Sequence, residues 1–395
     1  MFLNRNTAIL FLAQCMFVTG TVLMVTLGGI VGSELAPMPV LATLPMSLMV
    51  VGTALTTVPA SLIMRRLGRR AGFVGAALVG VTACLLGVAA LKAGSFPLFC
   101  GVAAMIGVTV AFSQQFRFAA AESVPLANAG HAVSFILVGS IGGALLGPEL
   151  AWRSPTWFPE QPYAAAYGAG TVCYVAAALL LGGLRPQAVL AMGGADGTPS
   201  RTIAEVVLQP VVIAAILGGV VGQGVMTFVM TATPVSMHVV DGHSLADTAS
   251  VIRAHVLAMY IPSLFSGVLI GWLGVRTVMS LGVVAFAATL VLGLQGHAYL
   301  HYWGALVLLG VGWNFLFVGG TTLLVASYRP AERFQVQAVN DFSVFGTSAI
   351  ASLMGGAVLL EFGWENVMLL AALPLVLVIA ALFRVPRKGA QPVAG

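Results

Sequence analysis

Arg65-Arg66-Leu67-Gly68-Arg69-Arg70 puts four of the chain's seventeen Lys and Arg residues into one hexapeptide between two long apolar runs. In a chain that is only 7% charged, so dense a cluster marks a point where the polypeptide leaves hydrocarbon for water. It reads as a short cytoplasmic turn between two membrane helices. Outward from it, runs of about 20 apolar residues recur about a dozen times, each long enough to cross a hydrocarbon core of about 30 Å.

Composition agrees with that reading. The 395 residues are 59% hydrophobic, with a mean hydropathy of +1.02, which leaves too little polar surface to cover a soluble globule. An all-α integral membrane protein follows, and the alternating segments of about 10 residues that a β-barrel needs are absent. The pI of about 9.3 does not imply a nucleic-acid partner, because the basic residues sit at helix ends and form no long patch. Cys15, Cys84, Cys100 and Cys173 fall inside apolar runs, spaced neither as a zinc site nor as a disulfide framework. The first run, from Ala8 to Gly32, is too long for a signal-peptide core and is read as the first span.

Hydropathy places spans near 8–31, 41–64, 71–92, 96–121, 130–151 and 163–184, and again near 209–237, 249–273, 276–296, 301–327, 335–359 and 363–384. The expected organisation is therefore a six-helix bundle over 1–184, a polar linker over 185–208, a second six-helix bundle over 209–384 and a tail over 385–395. With the amino terminus inside, the inner loops hold Arg65, Arg66, Arg69, Arg70, Arg185, Arg201, Arg276, Arg329 and Arg333. The outer loops hold only Lys92 and Arg153 among bases, with acids at Glu34, Glu160, Asp241, Glu361 and Glu365. The positive-inside rule then puts both termini in the cytoplasm. The halves also repeat: 61–70 aligns with 267–276, and Pro125 and Pro330 follow the fourth and tenth spans at nearly the same separation. Paired halves suit a carrier whose bundles rock about a central site.

With these features in hand, the chain resembles the major facilitator superfamily along essentially its whole length. In that family the loop between the second and third helices reads Gly-x-Leu-x-Asp-Arg-x-Gly-Arg-Lys/Arg, and Arg66, Gly68, Arg69 and Arg70 match it. Ser61 stands at the first glycine and Arg65 at the usual aspartate, so the resemblance implies a conformational loop held by a different contact. Gly143, Gly147 and Pro148 are similar to a Gly-x-x-x-Gly-Pro signature of the family's antiporters, although small residues also serve ordinary helix packing. A drug or metabolite efflux antiporter is the alternative that this signature raises. Arg117 resembles an arginine that proton-coupled members keep near the cytoplasmic end of the fourth helix; it either faces a cavity or snorkels to the interface.

Polar residues inside apolar runs supply the candidate substrate contacts: Gln14 in the first span, Gln114 beside Arg117, Gln223 in the seventh, Trp313 and Asn314 in the tenth, and Gln337 and Asn340 in the eleventh. Spacings of three and four let Gln337, Asn340 and Asp341 share one helical face. An aromatic beside amides can grip a flat polar solute by stacking and hydrogen bonding, whereas the competing readings put Trp313 against lipid and Asp341 at the cytoplasmic mouth. Glu122 and Asp341 are the candidates for carrying a coupling proton. Arg253 and His255 read as residues of an outer helix end.

No Walker motif, no His-Glu-x-x-His and no Gly-x-Ser-x-Gly occurs, so neither nucleotide hydrolysis nor an intramembrane enzyme is indicated, and no cofactor or metal is expected. The expected protein is a monomeric, multi-pass inner-membrane permease that moves a small polar organic solute by alternating access, with protons as a candidate coupling ion. The solute is not legible. The Asn340-Asp341-Phe342 context resembles bacterial uptake permeases, riboflavin importers among them, which makes a vitamin such as riboflavin no more than a candidate.

Overall fold

A computed structural model describes residues 3–38, 41, 44–157, 163–185 and 201–385. Most of the expected linker (186–200) and of the tail (386–395), with the acid Glu160, lies outside the described residues. The described chain is helical, and each expected span coincides with a helix or half of one. They are α1 (Arg5–Leu35), α2 and α3 (44–67 and 69–93), α4 (Phe96–Glu122), α5 (Ala129–Trp157) and α6 (Ala164–Gly182). After the linker come α7 (Pro210–Pro234), α8 (Leu245–Tyr260 and Ser263–Leu273), α9 (Val275–Leu294), α10 (Tyr299–Val325), α11 (Arg333–Leu359) and α12 (Glu361–Leu382).

The 50 residues of Leu44–Ala93 run as one helix but for Gly68, at φ 83° and ψ 159°. Unbroken, that helix would be about 75 Å long, far more than a bilayer admits. Gly68 therefore divides it into two spans, as the basic hexapeptide implied. Gly274, its counterpart in the repeat, adopts φ 85° and ψ 152° between α8 and α9, and Gly363 (φ 83°) breaks the helix within the first turn of α12. Only glycine occupies that backbone region without strain. Within α8, the stretches Ser250–Tyr260 and Ser263–Leu273 meet at 41°, at Pro262, whose ring cannot continue the hydrogen-bond ladder.

The described residues form two compact units, one within 3–123 and 135–185, the other within 124–134 and 201–385. The first is centred on aromatic rings. Phe116 meets Phe17 and Phe73 edge-on, and Tyr174 meets Phe17. The Tyr174 hydroxyl lies where a Cβ on Gly20 would stand and its ring where one on Gly80 would, so glycines on α1 and α3 make room for it. α5 approaches α1 in the same way: a Cβ on Gly143 would lie 2.7 Å from the Cys15 carbonyl, and one on Gly147 2.8 Å from Val22 Cβ. Close backbone approach explains the small-residue signature there. In the second unit, Gly282 and Gly312 let α9 and α10 touch backbone to backbone, a Cβ on either lying about 3 Å from the other's carbonyl.

Candidate functional site

In the second unit the structure joins two of the sequence candidates. Trp313 Nε1 on α10 donates to Gln223 Oε1 on α7 at 2.7 Å, and the Trp313 ring is 4% exposed, so it is not a lipid-facing residue. Phe317, one turn on, stacks against it at 4.7 Å and 18°, and Tyr260 of α8 meets it edge-on at 6.0 Å. Gln223 continues to Thr227 Oγ1 (3.4 Å), which exchanges a 2.8 Å hydrogen bond with Ser348 of α11. A second rung, Thr231 to Ser352 at 3.4 Å, follows four residues later on both helices. The result is a continuous polar chain across α10, α7 and α11 beside a three-ring aromatic group. Tyr260, Phe317 and Ser348 were not among the sequence candidates; the matched four-residue spacing of Thr227/Thr231 and Ser348/Ser352 was the available signal.

Asn314, one residue past Trp313, turns the other way. Its Nδ2 donates to Ser263 Oγ (2.6 Å) and to the Met259 carbonyl (2.7 Å), which satisfies backbone freed at the α8 bend. That is a helix-to-helix fastening rather than an exposed contact. On α11, Gln337, Asn340 and Asp341 are all at least 95% buried while Phe342 is exposed, so the three do share a face. Gln337 donates to Tyr328 Oη (2.5 Å), and Asn340 Nδ2 to Asp341 Oδ1 (2.9 Å). His255, expected at an outer helix end, is instead 1% exposed inside the bundle, with Nδ1 2.8 Å from the Leu306 carbonyl of α10.

In the first unit Gln14 Nε2 donates to Ser140 of α5 at 3.0 Å. Helix α4 tightens at Gln114–Gln115, where the Gln115 N–H bonds the Phe112 carbonyl only three residues back. Just beyond it Arg117 is 2% exposed, with its guanidinium carbon 4.7 Å from the Phe118 ring centroid, so it is a buried cation and does not snorkel. Gln115, the neighbour of the candidate Gln114, reaches Ser61 at 3.4 Å. Glu122 is held by Arg69 of the hexapeptide through Nε (3.2 Å) and Nη2 (2.9 Å), a bidentate pair with both side chains about nine-tenths buried. Arg65, Arg66 and Arg70 are exposed.

The corresponding pair in the second unit joins Arg201, a loop charge in the sequence, to Glu332, which is not among the sequence candidates. Glu332, 2% exposed, accepts from the Arg201 backbone N–H (3.1 Å), Nε (2.9 Å) and Nη2 (2.8 Å), and from the Arg329 N–H (2.9 Å). Burial alone would raise its pKa; the hydrogen bonds from the Arg201 side chain and from the two backbone N–H groups outweigh that and hold it below the ordinary carboxylate value. Among the described residues no cluster of His, Cys, Asp and Glu is arranged to hold a metal ion.

The sequence model of the Major Facilitator Superfamily matches residues 220–395. The riboflavin transporter RfnT of Brucella anthropi is 37% identical over 388 residues, covering 98% of this chain and 97% of that one. An uncharacterised MFS-type transporter of Bacillus subtilis, YddS, is 28% identical over 378 residues, 90% of this chain and 85% of the relative. Among solved structures, the E. coli fucose:proton symporter FucP superposes with a TM-score of 0.73 at 14% identity, covering 96% of this chain and 98% of that one. The proton:xylose symporter XylE does so at 0.74 and 14%, covering 96% and 94%. Fold and relatives define a multi-pass membrane transporter of two six-helix bundles, and not an enzyme. The chain belongs to the major facilitator superfamily and acts as a small-molecule transporter of the inner membrane.

Proposed function

We propose that this transporter carries riboflavin, or a solute of the same kind, by alternating access, with both termini cytoplasmic and the bundles divided at the linker over 185–208. The observation that carries the reading is the 37% identity, along nearly all of both chains, to the Brucella anthropi riboflavin transporter. The chemistry of the second unit supports it. A flat heterocycle with a polar edge needs a ring face to stack on and amides at its rim, and Trp313, Phe317 and Gln223 supply both kinds of group. On this reading Gln223, Trp313, Gln337 and Asn340 with Gln14, Gln114 and Arg117 line the substrate path, and Asn314 supports it from behind. Protons are the proposed coupling ion, with Glu122, which pairs with Arg69, and the buried Asp341 as the candidate carriers. The functional unit is a monomer. Efflux gains no separate support from Gly143 and Gly147, whose small size is used by α1.

The test is counterflow. Purified protein in proteoliposomes preloaded with riboflavin should take up labelled riboflavin saturably, and Trp313→Ala should weaken apparent affinity by about tenfold or more. Exchange of other vitamins or dyes with none of riboflavin overturns the substrate. A flux that ignores an imposed pH gradient overturns proton coupling, and undiminished gradient response in Asp341→Asn moves it to another residue.

A further inference from the structure

At the end of the second unit where α7 closes, four ionisable side chains from four elements converge. Helix α7 passes into a π-helical turn, Val235–Val240, that ends on Asp241. The α9–α10 loop contributes His297, helix α10 Tyr302 and the start of α12 Glu365. His297 Nδ1 lies 2.9 Å from Asp241 Oδ2, and its Nε2 lies 2.9 Å from Glu365 Oε1. A neutral imidazole has one N–H, so it can donate to only one of two carboxylates and would turn a lone pair on the other. Both bonds exist together only when the ring is an imidazolium. Glu365 first, and Asp241 with it, holds His297 in the charged form above the ordinary histidine value.

We propose that His297 is a proton-operated clasp: protonated, it ties the end of α7 to the start of α12, and loss of one proton to water releases Glu365 while Asp241 stays bound. The asymmetry follows from the surroundings. Asp241 is 16% exposed and also accepts from Tyr302 Oη at 2.6 Å, while Tyr302 contacts Ser236 Oγ at 2.6 Å. Glu365 is 57% exposed and its carboxylate is readily re-solvated. The remaining proton therefore stays on Nδ1. Other titratable groups around the clasp are His243, whose Nε2 donates to the His297 carbonyl at 2.7 Å and whose ring meets Tyr302 edge-on, His238, bonded through Nδ1 to the His243 carbonyl, and His301, against Gly296. None of these makes a second bond to the His297 ring among the described contacts. The clasp carries net charge −1 when closed and −2 when His297 is neutral, so deprotonation adds repulsion between two carboxylates to the loss of a bond.

The sign of the effect is fixed by linkage. The histidine value is raised on folding, so its contribution to stability is complete below the unfolded-state value and is lost as pH rises through the folded-state one. The full-length protein in detergent should lose melting temperature as pH rises above about 6.5, and that loss should be roughly halved in both H297Q and E365Q. Glu365 is exposed, so E365Q retains the fold and keeps the test decisive. In 13C-histidine NMR, the resonance missing from H297Q should titrate above about pH 6.5 in the native chain and move down in E365Q. An identical titration in native chain and E365Q, or an unaltered pH dependence of melting in both variants, overturns the clasp.

Discussion

Both units bury a carboxylate beside the turn that follows their fourth helix, and they neutralise it from different places. In the first, Glu122 at the end of α4 is gripped by Arg69, 53 residues earlier in the basic loop between α2 and α3. In the second, Glu332 after α10 is gripped by Arg201, which belongs to the linker before α7. The position equivalent to Arg69 in the repeat is Val275, so the second loop offers no arginine at that place. What the repeat retains is backbone: Gly68 and Gly274 share one left-handed conformation within a few degrees, while side-chain partners have been reassigned. Backbone geometry is dictated by the helix-to-helix reversal itself, whereas a buried carboxylate only requires that some cation reach it.

The largest effect should come from breaking the better-buried pair. Glu122→Ala leaves Arg69 a buried cation without its bidentate partner and should destabilise the protein by about 3–5 kcal/mol in denaturant melts. Glu332→Ala should lose about 2–3 kcal/mol, because Arg201 is 29% exposed and can fall back on water. The reverse order would break the comparison. Since the Glu332 value is lowered on folding, its stabilisation is present above the unfolded-state value and disappears as pH falls through the folded-state one; Glu332→Gln should flatten that acid limb.

Next in size is the shared glycine. Gly68→Ala meets no atom within 4 Å, so its whole penalty is conformational, about 1–3 kcal/mol. Gly274→Ala should match it in thermal melts. A clear inequality would mean that the two turns, alike in dihedral angles, are held with different strength.

The twelve spans were legible because hydropathy acts locally: a run of about 20 apolar residues is its own evidence of a membrane helix. The break at Gly68 was legible for the same reason, since charge and glycine fall together there. The candidate site was legible only as residue types. Gln223 and Trp313 stood out as polar groups in apolar runs, but their bond joins residues 90 apart, and nothing local distinguishes Trp313, which reaches Gln223, from Asn314, which fastens the α8 bend. Arg201 and Glu332 are 131 apart, and Arg201 looked like any loop charge. His297 was invisible because its meaning lies in two carboxylates brought to it from other segments.

Arg276 provides the smallest and sharpest test of reassignment. It aligns with Arg70, which is exposed, yet Arg276 donates to the Val385 carbonyl at 3.0 Å and stands 5.8 Å from the Phe383 ring, at the end of α12. A cation at a helix carboxyl terminus is favoured by the free carbonyls and the helix dipole. The contact is half-exposed and the ring lies at the limit of useful cation–π distance, so Arg276→Ala should destabilise by no more than about 1 kcal/mol. Arg70→Ala, with no such contact among those described, should be close to neutral. If the two substitutions were equally silent, Arg276 would be an unanchored loop charge like Arg70, and the second loop's distinctive anchoring would reduce to the loss of Arg69 alone. If Arg276→Ala alone is felt, and Arg276→Lys restores part of the loss by keeping the charge at the carbonyl, then each basic loop has found its own partner around a common glycine turn.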